Sequence, residues 1–396
     1  MSVMNSARVH VRESFAGTEK KFYIYCCILL IIAVLGLGGA ITAVAEGHHH
    51  SNMSDMVPWG VFISGLAFFI GLSAGATMVG LLIHGFGREG YHPVGTRAIL
   101  IGLMSIFAAM GCVMMDIGNP FRAMKIPFLL RNETSMFFIS STSYMGFMAI
   151  LVAELVSTIQ ITRGKADSRG KKVAKILGII AVPYALIVVH SFTGTIFGVV
   201  KAREMWNTPL LPVHFVTSAL ASGFALVILV TVITSWVNRK ELVSRETYNH
   251  MGFMLCFFLI ATVFLDTFDY LIISYSGTEE GLETWHLLTG RYLPTFLINM
   301  VGLYTALAIV SFKKYRTPRG LFYASSISII AIAAYRINLI SIGQLVPLYP
   351  ELGEIQYVPN IHEIAPFIGL VAMLMFVYAV LTKVLPLEDD VHTAGQ

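Results

Sequence analysis

The sequence has 396 residues, of which 56% are hydrophobic and 13% charged, and its mean hydropathy is +0.73. A soluble domain carries about 25% charged residues, so this composition excludes an ordinary soluble protein. The net charge of +4 comes from lysines and arginines in short loops, which indicates membrane topology and does not indicate nucleic-acid binding.

Ten apolar segments predict helices that cross a membrane, because each has about the 20 residues that a spanning helix needs and is too long for a barrel strand. We predict an all-α, multi-pass protein of the cytoplasmic (inner) membrane. It would have one ten-helix domain over 22–385, a segment 1–21 before it and a tail 386–396 after it. The predicted spans are 22–45, 58–83, 94–115, 135–160, 173–200, 212–236, 250–276, 291–312, 320–343 and 363–385.

The distribution of basic residues predicts the orientation. Twenty of the 27 lysines and arginines fall on one side of these spans, six fall on the other, and Arg336 lies within a span. By the positive-inside rule the crowded side is cytoplasmic, and both termini lie there. The first run ends in "AVA" (Ala43 to Ala45), as a cleavable signal peptide does, but it is too long for one, so we interpret it as an uncleaved span.

No metal centre is predicted from the cysteines or histidines. The cysteines lie inside spans without C-x-x-C spacing, so neither an iron–sulfur cluster nor a zinc site is indicated. His190 and His214 occupy neighbouring spans but differ in depth by about 12 Å, too far for both to bind one haem iron. The tract His48 to His50 falls in an outer loop, where a solvated surface is the simpler interpretation.

The third span ends in "CVMMDIGNPFR", residues 112–122. Asp116 lies near the hydrocarbon boundary, and Asn119-Pro120 ends the helix, since the residue before a proline disfavours helical geometry. Asp116 and Arg122 are expected to face one another across this turn. They form either a polar rim around a cavity or a salt-bridged helix cap, and the sequence leaves both open.

Ionisable side chains within a membrane are costly and suggest a site, a pathway or a structural pair. Asp266 and Arg336 both lie about 24 Å along their helices from the cytoplasmic side, which predicts an ion pair, with Asp269 about a turn further out. The pair either locks two helices together or forms the floor of an outer pocket. Other polar residues at the outer start of span 6 or inside spans are Glu204, His214, Glu154 and His190.

Four segments carry a resemblance to a known family. "DIGNPFR" resembles the Asp-aliphatic-Gly-Arg/Lys-Pro-x-Arg stretch of the NrfD/PsrC family, the membrane subunits of polysulfide reductase and its relatives, although Asn119 stands where the family often has a basic residue. The others are "PWGVFISGLAFFIGLSAGA" (58–76), "NETSMFF" (132–138) and "PLLPVHFVTSALASGFA" (209–225). The ten spans resemble the longer branch of the family, which includes alternative-complex-III-like chains and, nearest, the Dsr-type chain P of the sulfite-reduction-linked complex.

The resemblance implies NrfD-like helical bundles and a quinone of the menaquinone type held near the outer surface, where the polar residues predict a pocket at the outer ends of spans 2, 3 and 6. It also implies an extracytoplasmic iron–sulfur (ferredoxin-like) partner, further membrane and redox subunits, and no haem or cluster in this chain. Trp59 and Ser64 would line an apolar wall, and Asn119 would lie at the rim. Asp116 would accept a proton or serve as a hydrogen-bond partner near the head group, with Arg122 fixing its ionised form. His214 would donate a hydrogen bond to a quinone oxygen, with Glu204 orienting it or relaying protons. A proton path would use Glu154, His190, Asp266, Asp269 and Arg336.

Two other functions stay open on the sequence alone. A secondary transporter has inverted repeats and helices broken at the midplane, and here Pro183 is the principal interior interruption. Substrate uptake by the isolated chain in liposomes would indicate a transporter, whereas bound quinone and cluster-bearing partners would indicate the oxidoreductase subunit. A passive anchor would not need charges such as Asp266 and Arg336 within the membrane.

Overall fold

The computed structural model describes residues 19–117, 125, 132–349, 351 and 353–387, so most of the predicted segments 1–21 and 386–396 lies outside the described residues. Within these ranges there are ten helical segments long and apolar enough to cross a membrane, as predicted. Apart from one isolated bridge between Ser54 and Val57, the described residues form no β-structure. The α-helices are α1 (Lys20–Glu46), α2 (Val61–Ala76), α3 (Met78–His84), α4 (His92–Asp116), α5 (Met136–Thr162), α6 (Ser168–Pro183), α7 (Ser191–Gly198), α8 (Leu211–Asn238), α9 (Arg245–Tyr275), α10 (Glu279–Thr289), α11 (Leu293–Ser311), α12 (Pro318–Ile340) and α13 (Ile361–Val384).

Two of the spans are interrupted. The second consists of α2 and α3, which meet at Thr77, and the fifth consists of α6, a π-helix over Tyr184–His190, and α7. The π-helix follows Pro183 directly, and proline has no amide hydrogen to continue the regular bonding of the turn before it. His190, the last residue of this wider segment, is therefore placed at an irregular point in the membrane interior.

Helix α2 lies at the centre of the bundle. Every residue of α2 except Phe68 is buried, and the helix packs against α4, α8 and α12. A methyl group on Gly75 would lie 2.8 Å from the Cα of Gly223, and one on Gly223 would lie 2.6 Å from the Cα of Gly75. The backbones of α2 and α8 are therefore in direct contact, as small residues allow in membrane helices.

Helices α1 and α13 form an antiparallel pair at one side of the bundle. Their backbones touch where a methyl on Gly36 would lie 2.6 Å from the Cα of Gly369. Lys383 Nζ lies 5.3 Å from the ring centre of Phe22, so the start of α1 and the end of α13 share one face of the molecule. We call it the basic face, since it is the face predicted to be cytoplasmic, and we call the opposite face the pocket face.

Helix α10 was not predicted from the sequence. It follows α9 on the pocket face, begins at a cap in which the Thr278 hydroxyl accepts from the Gly281 amide, and places Trp285 against Phe296 of α11. Its eleven residues are too few to span a membrane and its first turn carries Glu279 and Glu280, so it lies at the end of the bundle.

Candidate functional site

The candidate site is built around His214, which lies in the first turn of α8 and is 1% exposed. Its Nε2 atom is hydrogen-bonded to Asp266, and its Nδ1 atom lies 3.1 Å from Oδ2 of Asp269 and 2.7 Å from the hydroxyl of Tyr335. The two aspartates are three residues apart on α9 and so share a face of that helix. One imidazole therefore joins α8, α9 and α12.

Behind the imidazole, a chain of amides and hydroxyls satisfies the buried carboxylate. Asn299 on α11 donates to the second oxygen of Asp266 at 2.9 Å and accepts from the Tyr270 hydroxyl at 3.1 Å. The Tyr270 oxygen in turn accepts from Asn338 at 3.2 Å. Because a buried charge is stable only when its hydrogen-bonding capacity is met, this chain holds Asp266 in one position.

The predicted ion pair between Asp266 and Arg336 does not form. Both oxygens of Asp266 are bonded to His214 and Asn299, while Arg336 donates to the Ser218 hydroxyl at 2.7 Å. The guanidinium lies 3.8 Å from the ring centre of Phe215, and its Nε and Nη1 atoms have no hydrogen-bond partner. Equal depth along two helices does not fix the direction of a side chain around either helix axis, and on α12 it is the preceding Tyr335 that meets His214.

A cavity of about 270 Å³ opens above His214 on the pocket face. It lies between the start of α8, the ends of α9 and α12, and the loop before α8, whereas the sequence predicted a pocket at spans 2, 3 and 6. Leu210 and Ile272, at its rim, are 49% and 60% exposed, so part of the rim is apolar and faces outward from the bundle, beside the exposed amide of Asn207. The polar lining residues are Glu204, Asn207, Thr208, Asp269, Tyr270 and Tyr335.

The loop between α7 and α8 is fastened over the cavity. The Glu204 carboxylate accepts from the Thr278 hydroxyl, and the Glu204 amide donates to Oε1 of Glu280 at 3.1 Å. Arg203 donates to the carbonyl of Val346; burial lowers its pKa, and the neighbouring Glu280 acts in the opposite direction. Glu204 is thus at the mouth of the cavity, linked to α10 and not directly to His214.

Asp116 belongs to a different polar cluster. Asp116 is the last residue of α4, and it interacts electrostatically with Glu363 of α13 and with the Tyr357 side chain. Glu363 is fully buried and accepts from the Tyr357 hydroxyl at 2.5 Å and from the amides of Asn52 and Asn360 at 3.2 and 3.1 Å. Burial raises the pKa of Tyr357 well above its ordinary value, and its bond to Glu363 adds to this. The predicted neighbours Asn119 and Arg122 lie outside the described residues.

Trp59 and Ser64 are not among the residues that line the cavity. The Trp59 ring stacks on Trp206 with centroids 5.4 Å apart, and its carbonyl accepts from Gln344 at 2.5 Å. Trp206 follows Met205 of the cavity lining, so Trp59 packs behind that wall. The Ser64 hydroxyl lies 3.0 Å from that of Ser341 and joins α2 to the end of α12.

His190 and Glu154 lie deeper in the membrane. His190 is fully buried, neither ring nitrogen has a hydrogen-bond partner, and its ring centre is 5.8 Å from that of Phe215, the ring on which Arg336 stacks. Glu154 is 2% exposed, and its Oε2 atom also lacks a partner. Buried polar atoms without protein partners are the usual positions of internal water.

Sequence reasoning missed Asn299 and Tyr270. Asn299 is a lone amide in the apolar run "TFLINMVGL", and a polar residue in such a run was the signal that could have identified it. Across the described ranges, no group of three or more His, Cys, Asp or Glu side chains is arranged to hold a metal ion.

Comparison with known proteins adds an independent observation. The family model described as "Polysulphide reductase, NrfD" matches residues 49–348. A selenate reductase subunit of Mesobacillus selenatarsenatis is 25% identical, with 93% of this chain and 96% of that protein covered. The Hdr-like menaquinol oxidoreductase integral membrane subunit of Archaeoglobus fulgidus is 24% identical, covering 92% and 94%. The menaquinone reductase integral membrane subunit of Nitratidesulfovibrio vulgaris is 24% identical, covering 93% and 92%.

Proposed function

The chain belongs to the polysulphide reductase NrfD family, and from this membership we propose that it is the quinone-reactive membrane subunit of a multi-subunit oxidoreductase. Two of the relatives are named as a menaquinol oxidoreductase subunit and a menaquinone reductase subunit, which supports a quinone of the menaquinone type. We place the quinone head group in the cavity above His214, on the face predicted to be extracytoplasmic.

The observation that carries this proposal is a cavity with apolar residues on its outward rim and an acidic, hydroxylated floor. Leu210 and Ile272 lie on the rim, while Asp269 and Tyr335 line the floor and also contact His214. A lipid-soluble ligand with a polar head needs this arrangement, since its chain can leave between apolar residues while its oxygens meet hydrogen-bonding groups. The 270 Å³ is near the lower end of ligand pockets, of about 300–1,000 Å³, which suits a head group without its chain.

A bound quinone supplies two-electron chemistry that also consumes or releases two protons. Asp269 and Tyr335 are the groups of this chain that would meet the quinone oxygens. His214 lies behind both and can take a proton at Nδ1 while Nε2 stays bonded to Asp266. Proton transfer by a positioned side chain contributes about 10²–10⁴-fold to a rate. Glu204, at the mouth, would hold the loop closed and pass protons to the aqueous side.

The partner that exchanges electrons with this site would bind at the pocket face. An extracytoplasmic iron–sulfur subunit would cover α10 and the loop that Glu204 fastens to it, because these lie directly beside the cavity. The names of several relatives mark them as single subunits of larger reductases, which supports such an assembly.

A proton path from this site toward the membrane interior would use Arg336 and His190. Both side chains lie beside the Phe215 ring, and Nε and Nη1 of Arg336 and both nitrogens of His190 lack protein partners. Water molecules at these atoms would provide a hydrogen-bonded route inward from Ser218, which contacts Arg336 at 2.7 Å. Glu154 would continue this route on the basic side.

Photolabelling tests the location of the quinone site. The native complex would be loaded with an azido-naphthoquinone, irradiated, and digested for mass spectrometry. We expect adducts on residues 204–210, 269–273 and 335–339, and competition by unlabelled menaquinone. Adducts confined to the neighbourhood of Trp59 and Asp116, or to the basic face, would contradict this assignment.

A further inference from the structure

A second polar site lies far from the cavity, where α3 ends at the basic face. His84 is the last residue of α3 and is partly exposed, while Glu154 is buried in α5. Both side chains border the space left by the missing side chain of Gly178 on α6. A methyl group there would lie 3.0 Å from Oε1 of Glu154, 3.4 Å from Nε2 of His84 and 2.6 Å from its Cδ2.

A second glycine leaves space at the same carboxylate. A methyl group on Gly80 of α3 would lie 3.3 Å from Oε1 of Glu154. The other carboxylate oxygen, Oε2, is buried without a hydrogen-bond partner. Leaving such a group unsatisfied costs several kcal/mol in an apolar environment, so a purely structural role would more easily be filled by an apolar residue. The presence of Glu154 at this position is explained if its carboxyl group binds and releases a proton.

The surroundings connect this carboxyl group to the aqueous phase on the basic face. The charged or titratable groups that act on His84 are His92, at the start of α4, and Lys175 on α6. Lys175 is exposed, His84 is partly exposed and Glu154 is buried, so the three form a graded series from the surface inward. An imidazole can take a proton at one nitrogen and donate one from the other, which suits the middle position.

We propose that His84 and Glu154 form a proton-loading site on the basic face. A hydronium ion at the surface gives a proton to one nitrogen of the His84 imidazole. The other nitrogen gives its proton to the Glu154 carboxylate, which leaves a neutral carboxyl group and a neutral imidazole. The use of that proton at the quinone rests on the proposed function; the loading step rests only on the contacts around Gly178.

Infrared spectroscopy of the complex in lipid vesicles tests the loading step without any quinone. Protonated Glu154 is identified by the carboxyl carbonyl band that the wild-type complex shows and the Glu154→Gln variant lacks. After transfer into D₂O, we expect His84→Gln to slow the exchange of that proton by about 10²-fold, the size of a lost proton-transfer group. A wild-type exchange rate in His84→Gln, or a band absent at every pH, would overturn the proposal.

Gly178→Ala provides a second variant that keeps the histidine. Its methyl group must displace the His84 ring, yet alanine is the stronger helix former, so α6 is retained. We expect the same slow exchange in Gly178→Ala and normal exchange in Gly38→Ala, where a methyl group meets nothing within 4 Å. Normal exchange in Gly178→Ala would contradict the proposal. The failure of cavity variants to affect quinol oxidation would reject the proposed function and leave this result standing.

Discussion

The imidazole of His214 and the carboxylate of Asp266 face each other in the interior of the bundle, and each side chain is 1% exposed. Asp266 is not among the residues that line the cavity, whereas Asp269, three residues later, is 25% exposed and lines it. Two carboxylates on one histidine therefore differ in environment. We expect the buried Asp266 to have a structural role and the partly exposed Asp269 to have a chemical role, and matched substitutions can test this.

Asp266→Ala should destabilise the protein more than Asp269→Ala does. Removing one partner of a buried pair costs about 3–5 kcal/mol, because the remaining charge and the Asn299 amide lose their partner. A partly exposed pair such as His214 and Asp269 is worth less, since water can replace the carboxylate. Thermal unfolding of the detergent-solubilised complex checks this order. Equal melting temperatures in the two variants would contradict it.

Asp269→Asn and Tyr335→Phe should lower quinol-linked electron transfer by about 10²–10⁴-fold while the complex stays assembled, because each removes a proton-transfer group from the cavity floor. Turnover with a soluble naphthoquinol and an artificial electron acceptor measures the effect. Asp116→Asn is the matched control: it is also an acidic residue on the pocket face but belongs to the Glu363 cluster, so its rate should remain close to wild type. A loss of turnover in Asp116→Asn together with normal turnover in Asp269→Asn and Tyr335→Phe would instead place the site at Asp116.

Gly75→Ala and Gly223→Ala should each separate α2 from α8. A methyl group on either residue would come closer than 3 Å to backbone atoms of the other helix, and backbone cannot move aside as a side chain can. We expect a loss of about 1–3 kcal/mol or failure to assemble, as for other overpacked cores. Gly38→Ala lies in open space and should be neutral or slightly stabilising. Melting temperatures and yields of the three variants provide the comparison.

Tyr357 should make stability fall at alkaline pH. Its pKa is raised in the folded protein, so its contribution is complete below the ordinary tyrosine value of 10.0 and is lost as the pH rises from there toward the folded value. Tyr357→Phe removes the bond to Glu363 and the acceptor for the Val61 amide, which should cost about 1–3 kcal/mol at neutral pH. The variant should also lose stability less steeply above pH 10. Melting temperatures across this range test both effects.

The helices were predictable because hydrophobic length alone determines whether a segment can span a membrane, and all ten spans were found to within a few residues. Within the candidate site, His214, Asp266 and Asp269 could be singled out because they are ionisable groups in apolar runs, whereas Trp59, Ser64 and Asp116, expected at the same pocket, do not line the cavity. The hydrogen-bond partners of His214 and the two aspartates could not be predicted. The rise of a helix gives the depth of Asp266 and Arg336, but the direction in which each points depends on how the helices are rotated when they pack.

Other features of the structure were not predicted from the sequence, for identifiable physical reasons. Helix α10 is short and amphipathic, so hydropathy does not detect it. His84 lies at a helix end and looks like a surface residue until the bundle brings Glu154 to the same glycine. The cluster around Glu363 was detectable, since Asn360 and Glu363 have the spacing of a capping box at the start of a span.

The pairing of α1 with α13 has a consequence for how the protein is made. The Gly36 contact with Gly369 joins segments more than three hundred residues apart, and both helices lie outside the stretch that the family model matches. Membrane helices insert first and associate afterwards. During synthesis α1 therefore remains in the bilayer with its glycine face covered by lipid until α13 has been inserted, so this helix pair forms only after the helices between the two have entered the membrane.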